Sequence, residues 1–281
     1  MRGPARGKAG PFSHFGRIQQ HGSNTINQEK GETRVAIKRK LASGLAVAAL
    51  MALSACGGDW PPPAIDGMTA VPAGKFKMGY GGEKARPNEK PEREVEVENG
   101  FYIGTYEVTN EEYSKYLAAT KKAAPDSWKD GKYPDGQGRY PVSRVSWDEA
   151  RAYTEWLSKE KGGNYRLPSE IEWEYAARGE KGFLFPFGNE FVPGKVNSAA
   201  AGKDGPVEVG QFKDGRSPFG TFDQAGNVWE WTSTDGPAAG QKMIKGGSYA
   251  PLEDLPRASL RTAIGKDQKK DTICFRVARD L

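Results

Sequence analysis

Histidine and cysteine are nearly missing from this sequence, and their positions matter more than their small number. His14 and His21 are the only histidines among 281 residues, and Cys56 and Cys274 the only cysteines. Downstream of Cys56 the chain has no imidazole and a single thiol. That excludes Ser-His-Asp and Cys-His nucleophilic catalysis, histidine-bound zinc and histidine-bound iron. A disulfide framework is excluded as well. Any metal held here is expected to be a hard ion bound by oxygen.

Long apolar runs are also scarce. One small, apolar stretch, Leu41–Ala55, follows Lys38, Arg39 and Lys40 and ends in Leu53-Ser54-Ala55-Cys56. It falls short of the roughly 20 residues that span a bilayer, so it reads as a secretory signal. Small residues just before a cysteine resemble the bacterial lipobox. That resemblance implies cleavage before Cys56 and its diacylation, with palmitate an expected chain. The alternatives are an ordinary signal peptide with a chance cysteine, or a short membrane anchor. Gly57 in place of Asp implies outer-membrane sorting, facing the periplasm, if the host is Gram-negative. Residues 1–34 are polar and long for the start of a signal, which suggests a true start near Val35.

The formal charge of +5 belongs to this leader. Residues 1–56 carry nine Lys/Arg against two Asp/Glu, leaving 32 basic and 34 acidic residues beyond them. The folded part gives no polyanion signal, so no nucleic-acid partner is expected.

After a tether over residues 56–65, stiffened by Pro61-Pro62-Pro63, the pattern predicts short strands at Met68–Val71, Phe76–Met78, Glu94–Val97 and Phe101–Ile103. The charged run Gly81–Glu92 reads as solvated surface. Three helices open with a Ser or Thr followed three residues later by Glu: Thr109 with Glu112, Ser146 with Glu149, and Ser169 with Glu172. The third is expected to stop near Arg178-Gly179. Ala150, Tyr153, Trp156 and Leu157 form a core stripe on the second. The excursion Thr120–Tyr140 and the fifty residues after Gly179 carry little periodicity. Loops of that length are usually functional or organised by something other than secondary structure, such as a bound ion. Trp229 and Trp231 alternate on a strand, and Met243–Lys245 and Ile273–Ala278 read as closing strands. One α+β domain over residues 66–281 is the simplest division.

Seven segments now stand in one order: Val71-Pro-Ala-Gly-Lys-Phe-Lys-Met-Gly79, Tyr106-Glu-Val-Thr-Asn110, Pro141-Val-Ser-Arg-Val-Ser-Trp147, Tyr165-Arg-Leu-Pro-Ser-Glu-Ile-Glu-Trp-Glu-Tyr-Ala-Ala-Arg178, Gly226-Asn-Val-Trp-Glu-Trp-Thr232, Lys245-Gly-Gly-Ser-Tyr249 and Phe275-Arg-Val-Ala-Arg279. Together they resemble the formylglycine-generating enzymes, or sulfatase-modifying factors. The resemblance implies a distorted C-type-lectin-like fold, loop-rich, with two main helices and small antiparallel sheets. It also implies structural calcium. One calcium site falls on Asp223 and Glu230 with the carbonyls of Gly226 and Val228, and a second, less secure, on Asn197, Ser198 and Asp204. The alternative for Glu230 is a salt bridge to an arginine beneath the closing strands. Arg276 is expected to hold a buried carboxylate or carbonyl cluster.

Copper-dependent family members bind copper(I) through two cysteines after the Gly-Gly-Ser-Tyr motif. Here those positions fall on Pro251 and Pro256, and Cys274 reads as a buried structural thiol. What remains resembles the cysteine-poor exported members, which include lipoproteins and a siderophore-maturation branch. Two functions follow as expectations. One is a lipid-anchored binding or assembly module for an exported protein, peptide or glycan. The other is an oxidase or maturation enzyme acting on exported peptide or sulfatase substrates, with Ser248, Tyr249, Glu253 and Asp254 lining its cleft. Those four residues read equally as a polar rim without chemistry. A carboxylate-pair hydrolase has little support, because Glu170, Glu172 and Glu174 read as capping and solvated residues.

Overall fold

A computed structural model describes residues 60–202, 204–251 and 255–281. The leader, Cys56, Glu253 and Asp254 lie outside the described residues. No helix among the described residues is long and apolar enough to cross a membrane.

Among the described residues, ten short strands and three α-helices make up most of the regular structure. The strands are β1 (Met68–Val71), β2 (Gly74–Met78), β3 (Arg93–Val97), β4 (Phe101–Gly104), β5 (Tyr165–Arg166), β6 (Trp229–Asp235), β7 (Gln241–Lys245), β8 (Arg261–Gly265), β9 (Ile273–Phe275) and β10 (Ala278–Asp280). They form a sheet of order β1-β4-β10-β5, the hairpin β2-β3 and a sheet of order β8-β7-β6-β9. Every pairing between these strands is antiparallel, as expected of the small sheets, except β6 with β9, which is parallel.

The helices are α1 (Asn110–Thr120), α2 (Trp147–Lys161) and α3 (Glu170–Arg178), and each begins with the capping box read from the sequence. Thr109, Ser146 and Ser169 each accept from the backbone N–H three residues on, while the Glu at that position accepts from the cap's own N–H. Two orphan donors are satisfied at each helix start. Two main helices were expected; α3, at nine residues, is the shorter third.

Aromatic residues of α1 and α2 pack against the second four-stranded sheet. Tyr113 stacks on Tyr153 at 5.7 Å, and both rings meet Phe275 edge-on. The Trp231 indole donates to the Val145 carbonyl at 2.9 Å, and the Trp147 indole to Thr232 at 2.8 Å, which bolts the start of α2 to β6. Burying the ring is favourable because its N–H finds a partner.

The segment Ile273–Ala278, expected as one strand, is two. β9 joins β6 and β10 joins β4, and Arg276 sits at the switch between the sheets. The tether is held earlier than expected: the Tyr102 hydroxyl donates to the Pro63 carbonyl at 2.5 Å. The run Gly81–Glu92 is not simply solvated either. Glu89 is buried and accepts two bonds from the Arg257 guanidinium, both at 2.6 Å, and one from Ser259 at 2.9 Å.

Candidate functional site

The turn leading into β6 organises the polar centre of the domain. Asp223 and Asn227 both adopt left-handed backbone, a conformation that Asp and Asn tolerate better than most residues, and Gly226 lies between them. A Cβ on Gly226 would stand 2.1 Å from the Asn197 carbonyl oxygen, so only glycine allows the two segments to cross here.

Asn227 is the hub. Its Nδ2 donates to Glu107 Oε1 at 2.9 Å; its Oδ1 accepts from Asn197 Nδ2 at 2.9 Å and from Val207 N at 3.1 Å; its carbonyl accepts from Tyr249 N at 2.9 Å. The side chain thus joins the Tyr106–Asn110 segment to the Asn197 loop, and the backbone carbonyl of the same residue adds the Gly-Gly-Ser-Tyr segment.

Glu230 is wholly buried, and both its oxygens accept from Arg276, Oε2 from Nε and Oε1 from Nη2, each at 2.6 Å. Trp173 adds an indole donor to Oε2 at 2.7 Å. Arg276 also donates to the carbonyls of Gly104, Thr105 and Phe222. The arginine reading of Glu230 and the clustering role of Arg276 are therefore what the structure displays.

Two further carboxyls adjoin this pair. Burial, with Asp223 and Glu230 as like-charged neighbours, drives the Glu107 carboxyl well above its usual range; its Oε2 has no hydrogen-bond partner and lies 3.9 Å from Arg276 Nη2. Burial and Glu230 push Asp223 up to about 6 against the pull of Arg276 and of the Gly210 N–H, which donates at 2.6 Å. Among the described residues no three His, Cys, Asp or Glu side chains converge so as to hold a metal. The second expected constellation offers something different. Asn197 and Ser198 are buried, and Asn197 Oδ1 and Ser198 Oγ have no hydrogen-bond partner. Asn197 Nδ2 reaches the Gly205 carbonyl at 3.0 Å, next to the exposed Asp204.

Above this centre runs a groove of about 310 Å³, lined by Trp128, Tyr140, Tyr249 and Asp271 with Asn110 and Gln137 among its polar groups. Burial and the Asp271 charge raise the Tyr249 phenol above its ordinary value. Ser248 is fully buried, and its Oγ accepts from Ala250 N at 3.2 Å, so Tyr249 alone of the described cleft candidates lines the groove. Pro251 is exposed, whereas Pro256 is buried beside Gly247. Cys274 is wholly buried, with its Sγ donating to the Val108 carbonyl at 3.5 Å, and burial holds its thiol far above the usual range.

The profile of the sulfatase-modifying factor enzyme 1-like domain matches residues 60–281. The chain belongs to this family. An inactive C-alpha-formylglycine-generating enzyme 2 of Bos taurus is 31% identical over 75% of this chain and 87% of its own length. The formylglycine-generating enzyme of Mus musculus is 30% identical over 78% of this chain and 76% of its own. Among solved structures, PvdO from Pseudomonas aeruginosa aligns with a TM-score of 0.68 and 30% identity, over 76% of this chain and 94% of that one. CarF, at 21% identity and a TM-score of 0.59, shares the fold.

Within this sulfatase-modifying-factor domain, the sequence grouped Asp223 with Glu230 as calcium ligands and assigned Arg276 separately to an unnamed buried cluster; in the structure Arg276 is the partner of Glu230. Sequence reasoning passed over Glu107 and Asn227. Glu107 lies inside Tyr106-Glu-Val-Thr-Asn110, two residues before the helix cap Thr109, and no local pattern marks its carboxyl as buried. Asn227 had a possible signal in its place directly after Gly226, since Gly-Asn pairs favour left-handed turns.

Proposed function

We propose that this domain is a copper-free binding or assembly module, anchored to the cell envelope by lipid on Cys56, whose groove beside Tyr249 receives an exported protein, peptide or glycan. The observation that carries the reading is the enclosure of Cys274. The one thiol beyond Cys56 is sealed in the core, so no cysteine is available to the segment after Gly246-Gly247-Ser248-Tyr249. Soft copper(I) needs such donors. The groove's aromatic lining and its backbone link to Asn227 supply a preformed, polar-edged surface suited to recognition.

The alternative reading, an oxidase or maturation enzyme acting on exported peptide or sulfatase substrates, draws on relatives named formylglycine-generating enzyme. A cysteine-bearing sulfatase peptide incubated with the full chain, copper(I) and oxygen separates the two. No aldehyde is expected by mass spectrometry, and aldehyde formation overturns the module. In parallel, Tyr249→Ala should weaken binding of a cognate peptide or oligosaccharide by roughly tenfold, the size expected on losing a central aromatic anchor.

Structural calcium belongs to the same proposal. The pair Asn197 and Ser198 fits it better than Glu230 does, because their buried oxygens lack partners whereas Glu230 is already engaged by Arg276 and Trp173. Bound there, calcium would supply charge to a loop with no disulfide and few regular elements.

A further inference from the structure

Away from the Tyr249 groove, two single-turn 3-10 helices, Pro193–Lys195 and Lys213–Gly215, are locked against each other. A Cβ on Gly215 would come within 2.3 Å of the Lys195 carbonyl oxygen, so the crossing is close and specific to glycine. Beside it lies an open cleft of about 330 Å³ lined by Lys195, Lys213, Arg216, Asp214, Phe187 and Phe222. Three cations face one carboxylate there. None of the three forms an ion pair with a carboxylate among the described residues, unlike the buried cations Arg178, Lys245, Arg257 and Arg276.

Both rings are fixed before any ligand arrives. Phe187 stacks on Phe185 at 5.5 Å, nearly parallel, and Phe222 stacks on Tyr106 at 5.3 Å. Lys195 Nζ hangs 5.6 Å from the centre of the Phe187 ring. Unpaired cations beside immobilised aromatic rings ask for a ligand with an anionic group and a flat apolar face. The cleft volume, at the small end of the usual range for ligand pockets, is enough for one ring.

We propose that this cleft binds an acidic pyranose, a uronic acid or a sulfated sugar residue. The C–H face of the sugar lies on Phe187 or Phe222, and its carboxylate or sulfate meets Lys195, Lys213 and Arg216. Arginine and lysine hold such oxyanions by charge-assisted hydrogen bonds. The site shares no lining residue with the Tyr249 groove, so it stands or falls independently of the function proposed above.

The test is calorimetric titration of the full chain with four probes: a glucuronate-containing disaccharide, its sulfated counterpart, the neutral disaccharide, and an acidic hexapeptide of Asp and Glu. At least one acidic sugar should bind roughly tenfold or more tightly than the neutral sugar and the peptide, and weaken as salt rises. Lys213 and Arg216 are exposed, so Lys213→Glu with Arg216→Glu should leave the melting curve in place while abolishing that binding. Phe187→Ala should weaken the acidic sugar and leave inorganic sulfate binding unchanged, which a purely electrostatic patch would not do. Failure of both acidic sugars to bind, equal binding of the hexapeptide, or binding unchanged in the double variant overturns the proposal.

Discussion

Glu174 shows how much a single carboxylate can carry. It is buried on α3, receives Gly79 N at 2.6 Å and Lys245 Nζ at 2.7 Å, and forms an i,i+4 bridge with Arg178 at 2.5 Å. Burial alone would raise its pKa, but the Lys245 and Arg178 charges and the hydrogen bonds from Lys245 and Gly79 outweigh it and hold the carboxyl below its ordinary value. Glu174→Gln keeps the volume and strands two buried cations, so a loss of about 3–5 kcal/mol is expected in urea unfolding. The sign with pH follows from the depressed pKa. The contribution of Glu174 is complete above the unfolded value near 4.5 and vanishes as pH falls through the lower folded value. Wild type should therefore lose its advantage over the variant below about pH 4.5. A constant gap between the two down to pH 3 would count against this account. In the sequence Glu170, Glu172 and Glu174 look alike. Glu172 caps its helix as expected, but Glu170 and Glu174 are buried ion-pair members whose partners, Arg261 and Lys245, come from distant strands. Alternation along a helix does not reveal a cation seventy residues away.

At the scale of elements, legibility tracked the range of the interactions. The three helix starts were readable because a capping box closes over four residues and needs nothing from the rest of the chain. Ser146→Ala should cost about 1 kcal/mol by chemical denaturation, and adding Thr109→Ala about as much again, since distant caps act independently. Neither change should touch binding in the groove; a strongly non-additive double variant would show that the caps report on shared tertiary structure. Strands were harder. β5, two residues long, exists only because β10 lies beside it, and β8 is half-buried along its whole length without alternation. The break at Arg276 between β9 and β10 was hidden for a related reason: the run Ile273–Ala278 is apolar on both sides of an arginine whose guanidinium turns inward to Glu230.

For the molecule as a whole, family and fold class were legible because seven local segments stand in order, while the polar centre was only half legible. Its members come from residues 107, 197, 223–230 and 276, and only folding reveals which carboxylate meets arginine and which oxygens are left without a partner. Those unpartnered oxygens give the calcium proposal its decisive measurement. A buried acceptor without a partner costs about 1–3 kcal/mol, so a cation that satisfies Asn197 and Ser198 must stabilise the native state alone. At a hundredfold excess over its Kd that stabilisation is about 2.7 kcal/mol, and a domain of this size gains roughly 2–4 °C in Tm per kcal/mol. Chelation should then lower the Tm of wild type by several degrees, and Asn197→Ala should abolish the calcium-dependent part. Glu230→Gln should destabilise the protein with and without calcium alike, because what it leaves behind is an unpaired Arg276. If chelator shifts neither wild type nor Asn197→Ala, the loops around the Gly226 crossing are held by the asparagine network alone. If Glu230→Gln rather than Asn197→Ala removes the calcium response, the ion shares its carboxylate with Arg276.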